Sequence, residues 1–146
     1  MPPTLPRGID HLVLAARDLA AAADLYRRLG FQVGARNRHA WGTLNHIVQF
    51  DRHFLELITT EPEFVRPDPA SAVAQFACPI ADLLARREGL SQLVLESRDA
   101  AADQADFVRH GIAGRETFYF ERRGRRPDGS DVHVAFTLAF AAHEKV

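Results

Sequence analysis

Residues 8–18 read GIDHLVLAARD, and residues 90–99 read LSQLVLESRD, with Gln92 standing where the first copy has His11. Laid over residues 90–112 without a gap, residues 9–31 repeat Leu12, Val13 and Leu14 as Leu93, Val94 and Leu95. They also repeat Arg17 and Asp18 as Arg98 and Asp99, and Gly30 as Gly111. Self-similarity of this kind points to an internal duplication, which decides the fold before any single residue does. In each copy a strand rich in branched aliphatic residues ends near an Asp able to accept the orphan N–H groups of a following helix. The helix carries one apolar stripe: Leu19, Ala22, Tyr26 and Leu29 in the first copy and, more weakly, Ala100, Gln104, Phe107 and His110 in the second. Gly30 or Gly111 then closes it, where a left-handed backbone costs least.

Beyond Gly30 three strands are expected, in FQVGAR, LNHIVQF and HFLELI, making the first module βαβββ over residues 8–61. Residues 62–88 form a proline-punctuated insert whose second part, IADLLARREG, predicts a short helix ending at Gly89. The second module, residues 89–146, continues after its helix with RETFYFERR, a turn at RPDGSD built on Asp128 and Gly129, and VHVAFTLAF. By this count it lacks its last strand. An unpaired sheet edge is normally covered or paired. The expectation is therefore that the chain continues past Val146, or that a second copy completes the edge as a homodimer.

With 146 residues and 47% hydrophobic content, one domain over residues 1–146 is expected. The 18 basic and 19 acidic residues nearly cancel, which argues against nucleic acid or an anionic membrane as partner and for a small molecule or a protein. Cys78 is the only cysteine, which excludes an intramolecular disulfide framework and a cysteine-rich zinc site. The opening MPPTLPRG has no apolar run behind a basic start, and no segment approaches the length of a membrane span, so a cytoplasmic protein is expected.

Strand alternation puts Ile9, His11, Val13 and Ala15 on one face and Asp10, Leu12 and Leu14 on the other. In HFLELI, Glu56 shares its face with Phe54 and Ile58. An ionised carboxylate among large apolar neighbours needs a partner. His11 supplies one if the first and fourth strands lie side by side.

GIDHLVLAARDLAAAADLYRRLGF together with GTLNHIVQFDRHFLELI resembles the vicinal oxygen chelate superfamily, and most closely its glyoxalase-like domains. The resemblance covers nearly all of residues 8–60 and, more loosely, 90–141. It implies an α+β fold in which two βαβββ modules form a cupped mixed sheet with a divalent metal between the halves. Carried over by position, the ligands are His11, Glu56 and Gln92. The fourth falls on the strand that this chain lacks, or on Thr137 if FTLAF is read as that strand. One imidazole with oxygen donors suits Zn, Mn, Ni or Fe. The alternative is a buried His11–Glu56 hydrogen-bonded pair without metal.

Further candidates carry two readings each. His46 lines the cup as an acid or base, or is a satisfied core residue; Asn45 lies on the opposite face of the same strand, and one of the two looks into the cavity. Trp41 is a loop anchor or a lid over a bound substrate. Arg123, with Arg122, Arg125 and Arg126, grips an anionic group of a ligand or forms a solvated hairpin tip. The tail holds His143 and Glu144 but no second histidine, so it makes no metalloprotease motif. The resemblance then implies one of three activities. The first is a metal-dependent lyase or isomerase that stabilises an enediolate-type anion, with Glu56 as the catalytic carboxylate. The second is a binding or sequestering protein like the bleomycin-resistance members. Extradiol dioxygenation fits less well, because Gln92 replaces the second histidine its iron needs.

Overall fold

The computed structural model describes residues 6–125 and 129–142. The turn residue Asp128, Arg126, and the tail pair His143 and Glu144 lie outside the described residues. The chain divides after Glu96 into two compact units, each described in turn.

The first unit is a mixed sheet clasped by two helices. Strand β1 (Ile9–Ala15) leads into α1 (Leu19–Arg28), β2 (Gln32–Val33), β3 (Asn37–Arg38), β4 (Thr43–Gln49), β5 (Phe54–Thr60), α2 (Ala72–Arg86) and β6 (Gly89–Leu95). The strand order is β2-β4-β5-β1-β6, with β3 paired to β4. Strands β1 and β5 run parallel, and β6 lies antiparallel against the other side of β1. The first and fourth long segments of the repeat are thus neighbours, as the buried carboxylate required, and the duplicated strands pair with each other.

Helix α1 starts where expected, with Asp18 accepting from the Ala21 N–H. Its apolar stripe packs on one face of the sheet, where Leu19, Val48 and Leu57 form a buried cluster with Leu14, Tyr26 and Leu55 around it. On the other face Val13, Ala15 and Ile58 are buried as well. Helix α2 lies against β5, β1 and β6. It is longer than the sequence suggests, beginning at Ala72 and running through Pro79. A proline inside a helix removes one backbone hydrogen bond and crowds the preceding turn. Tertiary burial outweighs that cost: Phe76, Ala77, Ile80 and Leu83 all face away from solvent. The strand expected in FQVGAR shrinks to Gln32–Val33, and β3 appears where no alternation marked it.

Two irregularities interrupt the pairing of β1 with β6. Ile9 faces Leu95 and His11 faces Val94, so Asp10 is an extra residue on β1. Val13 faces Gln92 and Leu14 faces Leu90, so Ser91 is an extra residue on β6. Such bulges bend a strand and re-aim its side chains.

The second unit contains α3 (Ala100–Arg109), capped by Asp99 as the repeat predicts, and the antiparallel hairpin of β7 (Phe118–Arg125) and β8 (Asp131–Leu138). Among the described residues two strands follow α3, in keeping with the count from sequence. One hairpin face stacks Phe118, Phe120 and Phe136. The other pairs Tyr119 with Thr137 and Arg123 with His133.

Candidate functional site

Parallel pairing of β1 with β5 sets His11 opposite Phe54 and Glu56 opposite Val13. The His11 ring stacks on Phe54 with 4.2 Å between centroids, and this brings its Nε2 to 3.6 Å from Glu56 Oε2. From β4, Asn45 Nδ2 donates to Glu56 Oε1 at 2.5 Å. Glu56 is 6% exposed and Asn45 2%, so the carboxylate meets its partners with little help from water. The remaining oxygen of the amide, Asn45 Oδ1, is buried with no hydrogen-bond partner among the described residues. A buried acceptor left unsatisfied costs about 1–3 kcal/mol, which a ligand donor or a cation would recover.

Both titrating groups are shifted toward their charged forms. Burial pushes the Glu56 carboxyl up, but the His11 imidazole, the Asn45 amide and the nearby His39 together hold it below its ordinary range. Burial likewise pushes His11 down, and the Glu56 and Asp10 carboxylates more than reverse this, leaving it raised.

A loop places His39 near that carboxylate. His39 N–H donates to Thr43 O and Gly42 N–H to His39 O, a tight loop in which Gly42 takes φ +85°. The buried His39 ring has Nδ1 2.8 Å from Thr43 Oγ1, lies flat on Trp41 at 4.6 Å, and meets Phe76 of α2 edge-on. His39 is the residue beside the Glu56 carboxylate that sequence reading missed. It stands in an irregular stretch where no periodicity assigns its side chain a face.

Gln92, opposite Val13, donates through Nε2 to the Phe76 carbonyl of α2 at 3.1 Å. His46 points the other way, toward the α1 side. It is buried, and its Nδ1 donates to the Gly34 carbonyl at 2.8 Å, since a carbonyl can only accept. Trp41 reaches the group through its stack on His39. Arg123 lies in the second unit, on the hairpin face where Glu121 Oε2 accepts from Tyr119 and lies 3.1 Å from His133 Nε2. The His11–Glu56–Asn45 cluster is therefore assembled within the first unit. A surface groove of about 580 Å³ opens beside β3. Arg36, Arg38, Glu61 and Glu63 line it with opposing charges, Arg38 gripping both Glu61 oxygens.

The facing atoms of His11 and Glu56 suit a shared cation. Ligand atoms about 2.0–2.2 Å from one ion at ordinary coordination angles sit roughly 3.0–3.4 Å apart, within a few tenths of an ångström of this gap. Asp10 Oδ1, 2.6 Å from His11 Nδ1, supplies the outer carboxylate that often accompanies a ligating histidine. Among the described residues no three His, Cys, Asp or Glu side chains converge as a ligand cluster, so further positions would fall to an amide oxygen or solvent.

Comparison with known proteins agrees with this architecture. Three solved structures share the fold. A hypothetical protein from Bacillus halodurans aligns with a TM-score of 0.60 and 13% identity over 92% of this chain and 94% of its own. Methylmalonyl-CoA epimerase from Mycobacterium tuberculosis gives 0.53 and 20% over 94% and 90%. A hypothetical protein from Staphylococcus aureus gives 0.59 and 11% over 95% of this chain but 55% of its own. No curated protein sequence matches the chain. The model of the glyoxalase-like domain family matches residues 9–146. With that match across nearly the whole chain, the protein belongs to the glyoxalase-like domain family of the vicinal oxygen chelate superfamily.

Proposed function

We propose that this protein is a metal-dependent lyase or isomerase acting on a small molecule with two neighbouring oxygens. The observation that carries the reading is the 3.6 Å approach of His11 Nε2 to Glu56 Oε2, with Nδ1 of the same ring held by Asp10. His11 and Glu56 would hold a divalent ion, Zn, Mn, Ni or Fe. Gln92 would join through Oε1, because its Nε2 is engaged by Phe76 O. When bound, the ion supplies Lewis-acid polarisation of a substrate carbonyl, which favours an enediolate-type anion after proton loss.

The chain's own residues do the rest. Glu56, its Oε1 steadied by Asn45, takes a proton from the substrate carbon and returns it. Asn45 Oδ1 accepts from a substrate hydroxyl. Trp41 and His39, packed against Phe76, keep water from the carboxylate. The epimerase among the structural neighbours is consistent with proton transfer of this kind.

A second reading, a binding protein without chemistry, is favoured by one observation: α2 lies over the same sheet face and takes the Gln92 amide on its own backbone. Metal analysis of protein purified without chelator, followed by activity assays with and without added Mn²⁺, Ni²⁺, Zn²⁺ or Fe²⁺, separates the two. Metal content unchanged in both His11→Ala and Glu56→Ala would remove the proposed centre. We infer a small molecule as the partner of the first-unit site, Arg123 as a contact to an anionic group at the second unit's hairpin, and a homodimer that completes the open sheet edge as the assembly. Sedimentation of the purified chain tests the last point.

A further inference from the structure

We propose that Asp10 is a positioning residue that sets the tautomer and aim of His11, an inference that rests on the metal-dependent reading above. Neighbours along a regular strand point to opposite faces, so Asp10 and His11 should not meet. They do meet, with Asp10 Oδ1 2.6 Å from His11 Nδ1. The reason lies in the pairing with β6: two residues of β1, from Ile9 to His11, span a single step from Leu95 to Val94. The extra residue is Asp10, and the bulge lets its side chain swing beside the imidazole instead of away from it.

The chemistry of the contact fixes the ring. A carboxylate at that distance can only accept, so Nδ1 carries the hydrogen. In the neutral ring Nε2 then bears the lone pair, and Phe54 stacking directs it at Glu56 Oε2. In that neutral form two acceptors face each other, and either a proton on Nε2 or a metal cation between the two atoms relieves the repulsion. The bulge thus converts a core histidine into a ligand with one free, correctly aimed nitrogen. Its counterpart in the second copy has no such partner, since Ser91 precedes Gln92.

The test uses Asp10→Ala and Asp10→Asn in the full chain. The Asp10 side chain is 47% exposed, so both variants should fold. Histidine labelled with ¹⁵N, read at alkaline pH where the metal-free ring is neutral, reports its tautomer directly, with His11→Ala assigning its signals. Wild type and Asp10→Asn should show a protonated Nδ1, and Asp10→Ala should lose that signature. Zn²⁺ titration calorimetry should then show affinity lower by about 10–100-fold in Asp10→Ala, with Asp10→Asn between it and wild type. An unchanged Nδ1 signature in Asp10→Ala, or a Zn²⁺ affinity within about two-fold of wild type, overturns the proposal. If wild type binds no Zn²⁺, the metal-dependent reading fails, while the nitrogen signature of the metal-free ring still decides the role of Asp10.

Discussion

His11 Nε2 and Glu56 Oε2 face each other across two parallel strands at 3.6 Å, one residue 14% exposed and the other 7% by side chain. At that separation the contact is an electrostatic pair rather than a hydrogen bond. Burial makes it consequential, because neither group can turn to bulk water if its partner is removed.

His11→Ala should therefore destabilise the protein more than its size suggests. Removing one member of a buried pair leaves the other charged and uncompensated, at a cost of about 3–5 kcal/mol. Urea unfolding of His11→Ala and of the double variant His11→Ala/Glu56→Gln measures this. The double variant should recover part of the loss; equal midpoints for the two would show that Glu56 was never left exposed to the deficit.

Stability of the chelator-treated protein should depend on pH through this pair. His11 is raised above its ordinary 6.5, so its contribution is complete below 6.5 and fades as pH rises through the higher folded value. Glu56 is lowered below its ordinary 4.5, so its contribution is complete above 4.5 and fades as pH falls through the lower folded value. The difference in melting temperature between wild type and His11→Ala should be largest between those two values and shrink on either side. A difference that is flat from acid to alkaline pH would contradict the pairing.

Asn45→Asp should be harmful although nearly isosteric. It replaces a donor 2.5 Å from Glu56 Oε1 with a second carboxylate in a site that is 2% exposed. Like charges at that range cannot both ionise. A loss of about 2 kcal/mol or more at neutral pH is expected from chemical unfolding, with partial recovery in acid. Asn45→Ala should lose less, since it introduces no charge.

His46→Ala should separate stability from ligand chemistry. Its imidazole satisfies the Gly34 carbonyl on the α1 side of the sheet, and that loss is expected to cost about 1–3 kcal/mol. Divalent-ion affinity should stay within about two-fold of wild type, because Glu56 is on the opposite face. A large fall in affinity would place His46 in the site after all.

Leu57→Ala tests the core that holds β5 in place. Leu57 is 1% exposed between α1 and β4, and truncation there should cost about 2–5 kcal/mol. Calorimetric melting reads the change.

Much of this arrangement is written locally in the chain. The repeat of Leu12, Val13, Leu14, Arg17, Asp18 and Gly30 specifies strand, cap and helix twice, because alternation and capping depend only on neighbours a few positions away. The same alternation sets His11 and Glu56 on faces that can meet. Three features lie beyond that reach. The bulge at Asp10 exists because β6 pairs with β1 in a shifted register, and no local pattern encodes a register. The position of His39 follows from a loop closed by backbone hydrogen bonds to Thr43, where side-chain periodicity says nothing. Helix α2 runs through Pro79 and covers the sheet because apolar burial against β5, β1 and β6 outweighs a broken turn, a balance struck between segments far apart in sequence.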